Sequence, residues 1–219
     1  MCGRYVLTAD PEQLQAAFDL TSVPDFPARY NVAPTQINPV ISSEAPDQAV
    51  LMRWGLIPSW AKDRKIASSL INARAESVAE KPSFRVAFRS RRCLVPVSGY
   101  YEWQERDSGG NIPTYIHMPD APLFALAGLW ETWRDPQTGE WLKTYTLITT
   151  DANAYISAFH HRMPVILNRE DYAEWLHPES AEDPARLMRP YAGTLHAYEV
   201  SRAVNRPVND HPGLIEPVA

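Results

Sequence analysis

Twenty prolines against nine glycines are spread along the whole 219-residue chain, and they set the size of every element it can form. Proline lacks the backbone N–H and ends or kinks a helix, so the chain must be built from many short elements joined by rigid turns. Long helices are not expected. Asp10-Pro11-Glu12-Gln13 reads as an N-cap, a proline at the first helical position and a capping-box glutamine; with Leu14, Ala17 and Phe18 as the apolar face it predicts a helix over about 11–19. A second helix starts in the same way at Asn168 and carries Tyr172, Trp175 and Leu176, and a shorter third begins at Asp183-Pro184. Runs rich in β-branched and aromatic residues predict strands at 39–42, 50–54, 93–97, 100–103, 114–117, 123–129, 141–149, 165–167 and 195–200. Gly109-Gly110-Asn111 and Gln137-Thr138-Gly139 read as hairpin turns joining such runs. No repeat, linker or composition break divides the chain. The expected fold class is a single-domain, β-rich α+β structure over residues 1–219, with a core over about 2–210 and a short polar tail.

Hydrophobic residues at 45% and charged residues at 21% describe a chain that folds rather than a disordered one. The longest low-polarity run, 121–130, is half of the roughly 20 residues a membrane-spanning helix needs, and no apolar signal core opens the chain. The cytoplasm is the default expectation, with no membrane partner. Two cysteines cannot make a disulfide framework, and no C-x-x-C or H-E-x-x-H spacing offers a metal site, so neither metal nor cofactor is expected.

The net charge is −5, yet it is unevenly distributed. Between Lys62 and Arg92 stand nine Lys or Arg and three acids, a local +6, while the remaining 188 residues carry −11. Such an island is either a solvated face or a phosphate-backbone contact. Trp54 and Trp60 lie just before it, in Trp54-Gly55-Leu56-Ile57-Pro58-Ser59-Trp60. Either indole is core or a stacking platform for unpaired bases, and the interleaved Arg53, Lys62 and Arg64 favour a platform role for at least one.

Cys2 is the most informative residue. Met1 before a small second residue is a context in which the initiator methionine is removed, which would make Cys2 the mature N-terminus. A terminal cysteine joins a thiol of reference pKa about 8.5 to an α-amine of about 7.7 to 8.0, so both are expected to be partly deprotonated near neutrality. With an aldehyde the amine forms an imine, and the thiolate closes a five-membered thiazolidine, a step favoured by effective molarities of roughly 10⁵ to 10⁸ M. The bland alternative is a small buried hydrophobe, and Cys93, in an apolar run, reads that way.

Three further segments offer chemistry. Glu102, in Ser98-Gly99-Tyr100-Tyr101-Glu102-Trp103, either points to solvent or sits in an aromatic-walled pocket that raises its pKa and makes it a proton donor and acceptor. His160-His161-Arg162-Met163-Pro164 holds two imidazoles, one of which is a candidate general acid or base. Asn72 can donate to an oxyanion or a sugar hydroxyl and Arg74 can bind phosphate bidentately; alternatively Asn72 is a helix cap with an Asn72/Glu76 or Arg74-centred surface pair.

Together Cys2-Gly3-Arg4-Tyr5, Tyr30-Asn31-Val32-Ala33-Pro34-Thr35, Trp54-Gly55-Leu56-Ile57-Pro58, Asn72-Ala73-Arg74-Ala75-Glu76, Gly99-Tyr100-Tyr101-Glu102-Trp103, Thr149-Thr150-Asp151-Ala152-Asn153 and His160-His161-Arg162-Met163-Pro164 resemble, in order, the SRAP family of SOS response-associated peptidase-like proteins. The resemblance implies a β-barrel-like, mostly antiparallel core flanked by short helices. It also implies crosslinking to abasic sites in single-stranded DNA, with lyase-like activity, during the DNA damage response. It assigns Cys2 as nucleophile, Asn72 to positioning the sugar, Glu102 to proton transfer and His160 as second acid/base group. It places Arg4, Asn31, Pro34, Trp54, Arg74 and Arg162 at the DNA. The family pattern has an acid where this chain has His161. A thiol peptidase using Cys2, His160 and either Asn72 or Glu102, acting on peptide bonds in general or on its own N-terminal one alone, is the competing chemistry, and a non-catalytic DNA-binding module is the third. A monomer is expected.

Overall fold

The computed structural model describes residues 2–105, 110–177 and 183–218. In chain order the elements are β1 (Arg4–Leu7), α1 (Pro11–Phe18), β2 (Arg29–Val32), β3 (Ile37–Ser42), β4 (Ala45–Trp54), β5 (Asn72–Arg74), α2 (Arg85–Ser90), β6 (Arg92–Val97) and β7 (Gly99–Glu105). There follow β8 (Asn111–His117), β9 (Phe124–Arg134), β10 (Trp141–Asp151), β11 (Arg162–Pro164), β12 (Ile166–Leu167), α3 (Tyr172–Leu176) and β13 (His196–Glu199). No described helix exceeds eight residues, as the proline spacing requires. α1 is held by the full capping box, Gln13 N–H donating to Asp10 at 2.8 Å and Asp10 N–H to the Gln13 side chain at 3.1 Å.

Strands β10, β4, β3, β6 and β9 are hydrogen-bonded in that order, and β9 pairs again with β10, closing a five-stranded barrel. All neighbours in the ring are antiparallel except β4 and β10. The 135–140 turn closes the β9–β10 hairpin, with Gly139 at φ +76°, where a side chain would be strained. The β7–β8 turn holds Gly110, and Gly109 lies outside the described residues. A second, antiparallel sheet, in the order β13-β8-β7-β1-β2, lies against the barrel.

Alternation along the strands sorts the core into two faces. Val40, Met52, Trp54, Cys93, Val95, Leu126, Trp130 and Tyr145 from the barrel share one buried cluster with Tyr5, Val32, Tyr100 and Ile116 of the smaller sheet, and Cys2 belongs to it. The opposite face, with Ile41, Leu94, Ala127, Leu129 and Ile148, packs against Leu14, Phe88 and Trp175 of the helices. The expected polar tail is instead packed: Leu214 is fully buried and Val200 bridges to Pro217.

Three expectations are corrected. The third helix is a single 3₁₀ turn, Pro184–Leu187, capped by Asp183, and the second begins as a 3₁₀ turn before α3. Segment 72–74 is a strand, so Asn72 caps no helix. α2 lies inside the basic island, without a side-chain cap, and forms because Ala87 and Phe88 bury against the barrel.

Candidate active site

Cys2 precedes β1, whose residues pair with both β2 and β7: Tyr5 lies opposite Val32 on one side and Tyr100 on the other. The thiol is fully buried, with Sγ 3.7 Å from the Arg4 carbonyl oxygen. Across the interface, Asn72 Nδ2 donates to the Cys2 carbonyl at 2.9 Å, fixing the backbone of the second residue to β5. Burial, and then the nearby Glu102 charge, push the Cys2 thiol well above its ordinary value. In the chain that carries residue 1, desolvation thus opposes the partly ionised resting thiol expected of a free terminal cysteine. Met1 lies outside the described residues.

Glu102 takes the buried alternative and does not point to solvent. It stands on β7 opposite Thr114 of β8, almost wholly buried, and burial pushes its carboxyl up to about 7. Gly99 starts this strand because a Cβ there would lie 2.5 Å from the Tyr115 ring. That close approach seats Tyr100 and Glu102 on the inner face.

His160 sits at a turn tied to β7, since Gln104 Nε2 donates to the Ala158 carbonyl at 2.8 Å. Its Nδ1 is 2.9 Å from the Arg162 N–H, which donates to it in the neutral Nε2–H form, and 3.1 Å from the Arg162 carbonyl, which accepts from it when Nδ1 is protonated. Burial holds its pKa below the ordinary histidine value. His161 is exposed and stacks on it with ring centroids 4.4 Å apart. A cleft of about 350 Å³ opens beside the pair, between Trp103, Gln104, Ser157 and Ala158.

Arg162 binds three of the sequence motifs together. Its guanidinium donates to both oxygens of Glu76 at 2.6 and 3.0 Å, to Asp151 at 2.7 Å and to the Thr149 carbonyl at 2.7 Å. It is 7% exposed, so the phosphate contact expected of it gives way to a structural role. Arg4, partly exposed, donates to Asn31 Oδ1 at 2.9 Å and the Val204 carbonyl at 2.8 Å, with its guanidinium over Trp103. Asn31, fully buried, donates to the carbonyls of Val204, Arg206 and Asn209, and so anchors the C-terminal segment instead of contacting DNA.

The two indoles divide. Trp54 is fully buried between Tyr5 and Tyr145 with Nε1 donating to the Ile71 carbonyl at 2.9 Å, so it is no base platform. Trp60 is 58% exposed. Pro34 is partly exposed, in a loop where Thr35 holds a left-handed φ of +77°. Arg74 is exposed, as are Lys62, Lys65, Lys81, Arg85 and Arg89, and none of these six makes an ion pair among the described residues. Arg64 and Arg91, by contrast, pair with Asp135 and Glu131. Sequence reasoning missed the support under Trp54, a hydroxyl pair between Tyr5 and Tyr145 at 2.7 Å with Asn38 donating to Tyr145. No local signal marks it, because its members come from three distant strands.

Comparison with known proteins agrees with this architecture. The profile of the SOS response associated peptidase (SRAP) family matches residues 1–207. The chain is 43% identical over 99% of both chains to the abasic site processing protein YoqW of Bacillus subtilis (strain 168). It is 34% identical to the abasic site processing protein HMCES of Gallus gallus, over 86% of this chain and 66% of that one. Among solved structures, one of a Bacteroides thetaiotaomicron protein superposes with a TM-score of 0.90 at 31% identity over the whole of both chains.

Proposed function

Because the chain belongs to the SOS response associated peptidase family, we propose that it processes abasic sites in single-stranded DNA by joining to them covalently through Cys2. The observation that carries this reading is the placement of the second residue: its carbonyl is clamped by Asn72 beside a buried carboxyl whose pKa lies near neutrality. With residue 1 removed, that placement presents an amine and a thiol together.

An opened abasic deoxyribose carries an aldehyde at C1′. The Cys2 amine adds to it, and protonated Glu102 donates to the departing hydroxyl, which leaves as water and yields an iminium ion. The Cys2 sulfur then adds to the same carbon and its proton passes to the Glu102 carboxylate, giving the thiazolidine and restoring the acid. A thiol that burial keeps protonated needs such a base at the moment of bond formation. A group of pKa about 7 serves both steps near neutral pH. His160, held neutral by burial, acts in the slower steps, reversal of the adduct or elimination at the sugar. Trp60 and the exposed basic side chains of the 62–92 segment provide stacking and phosphate contacts.

Peptide-bond cleavage by Cys2, the chemistry in the family's name, calls for a resting thiolate, which this burial opposes. The discriminating experiment incubates wild type and Cys2→Ser with an abasic single-stranded oligonucleotide and heats the products in detergent. Wild type is expected to remain attached, and Cys2→Ser to separate. Equal, heat-stable attachment of both would reject the thiazolidine.

A further inference from the structure

Three polar side-chain atoms around Cys2 and Glu102 are buried without a hydrogen-bond partner among the described residues: Tyr100 Oη, Thr114 Oγ1 and Asn72 Oδ1. Their placement is not scattered. Tyr100 lies two residues before Glu102 and therefore on the same face of β7. It shares a buried cluster with Cys2, close enough that charge on either Cys2 or Glu102 opposes its ionisation. Thr114 stands directly opposite Glu102. Asn72 spends its amide N–H on the Cys2 carbonyl and keeps Oδ1 in reserve. A buried hydroxyl with no partner weakens a fold, and phenylalanine would fill the Tyr100 position without that cost. The oxygen is explained if a ligand satisfies it.

The chemistry of the opened sugar indicates which atom does so. In a DNA strand O3′ and O5′ are bound in phosphodiesters, so the one free hydroxyl of the opened abasic residue is the 4′-hydroxyl released from the ring. We propose that Tyr100 recognises this group: its Oη donates to the 4′-hydroxyl oxygen, and the 4′-hydroxyl donates to Asn72 Oδ1. Holding the 4′-oxygen keeps it from re-adding to C1′, so the aldehyde stays open beside the Cys2 amine, and Thr114 stands opposite the carboxyl. This inference rests on aldehyde capture by Cys2.

The test compares the rate of covalent attachment of wild type and Tyr100→Phe to two single-stranded oligonucleotides. One carries a central abasic site, and the other carries an unbranched alkyl aldehyde with no hydroxyl in place of the sugar. Tyr100→Phe is expected to slow capture of the abasic site by roughly ten-fold, about the value of one lost hydrogen bond. Capture of the alkyl aldehyde should change by less than about two-fold, and the melting temperature should stay the same or rise. Equal slowing on both substrates, no slowing on the abasic site, or a fall in melting temperature would overturn the role of Tyr100. Failure of wild type to attach to either aldehyde would instead reject the capture chemistry itself.

Discussion

The side-chain amide of Asn72 donates to the carbonyl of Cys2 at 2.9 Å, across 70 residues of chain. That single bond fixes the residue carrying the nucleophile to β5, which is itself held along β10. Replacing Asn72 by Leu keeps the size and removes the donor. Covalent attachment to an abasic oligonucleotide is expected to slow about 10- to 100-fold, while stability falls by only about 1 kcal/mol. Single-turnover gel assays and urea melts measure the two; a stability loss that alone accounts for the slower reaction would reduce Asn72 to scaffolding.

The raised carboxyl of Glu102 gives stability a definite pH dependence. Folded protein holds this proton up to about pH 7, whereas the unfolded chain releases it near its ordinary value of about 4.3. Between those values the folded state binds more protons, so the contribution of Glu102 is full below the unfolded value and is lost as pH rises through the folded one. Glu102→Gln should remove that loss, on the order of 3 kcal/mol, and so melt higher than wild type at pH 8 when the two are referenced to pH 4. It should also slow attachment more than it weakens DNA affinity. Parallel melting profiles for the two proteins would contradict a carboxyl with this pKa.

Arg74 and Arg162 look alike in sequence and are expected to behave oppositely. Arg162→Lys breaks the bidentate contact with Glu76 and should cost about 1 to 3 kcal/mol of stability, with the salt dependence of DNA binding unchanged in the protein that remains folded. Arg74→Ala should leave stability within about 0.5 kcal/mol and reduce the salt slope of DNA binding by about 1. Salt titrations of binding, paired with thermal melts, separate the two, and a lowered salt slope for Arg162→Lys would return it to the DNA surface.

His160 and His161 are separated by their surroundings. His160 is bound to the Arg162 backbone and partly buried, whereas His161 is exposed. His160→Ala should slow reversal of the adduct about 100-fold. His161→Ala should change it little and let the His160 pKa rise toward its ordinary value, because the charge of His161 opposes protonation of its neighbour. Reversal rates and an NMR titration report both; a larger defect in His161→Ala would transfer the role.

The β-rich α+β character was legible because its strands are long, apolar and punctuated by proline and glycine turns, whereas the barrel was implied only by the family resemblance. Strands β1, β2, β5 and β11 were not, since three or four residues carry no period and pair only with distant partners. At the site, sequence identified Cys2, Asn72, Glu102 and His160 as the groups to examine. It could not tell Trp54 from Trp60, because nothing local distinguishes an indole enclosed by Tyr5 and Tyr145 from one facing solvent. Nor could it see that Arg162 is consumed by Glu76, 86 residues away, or that Cys2 would be fully buried.

Intact-mass spectrometry of the purified protein, before and after incubation with an abasic single-stranded oligonucleotide, reads out processing and bond formation together. The free protein should have the mass of a chain beginning at Cys2, and the adduct should equal protein plus oligonucleotide less one water. A protein that keeps Met1 and still forms the adduct in full yield would contradict capture by a terminal aminothiol.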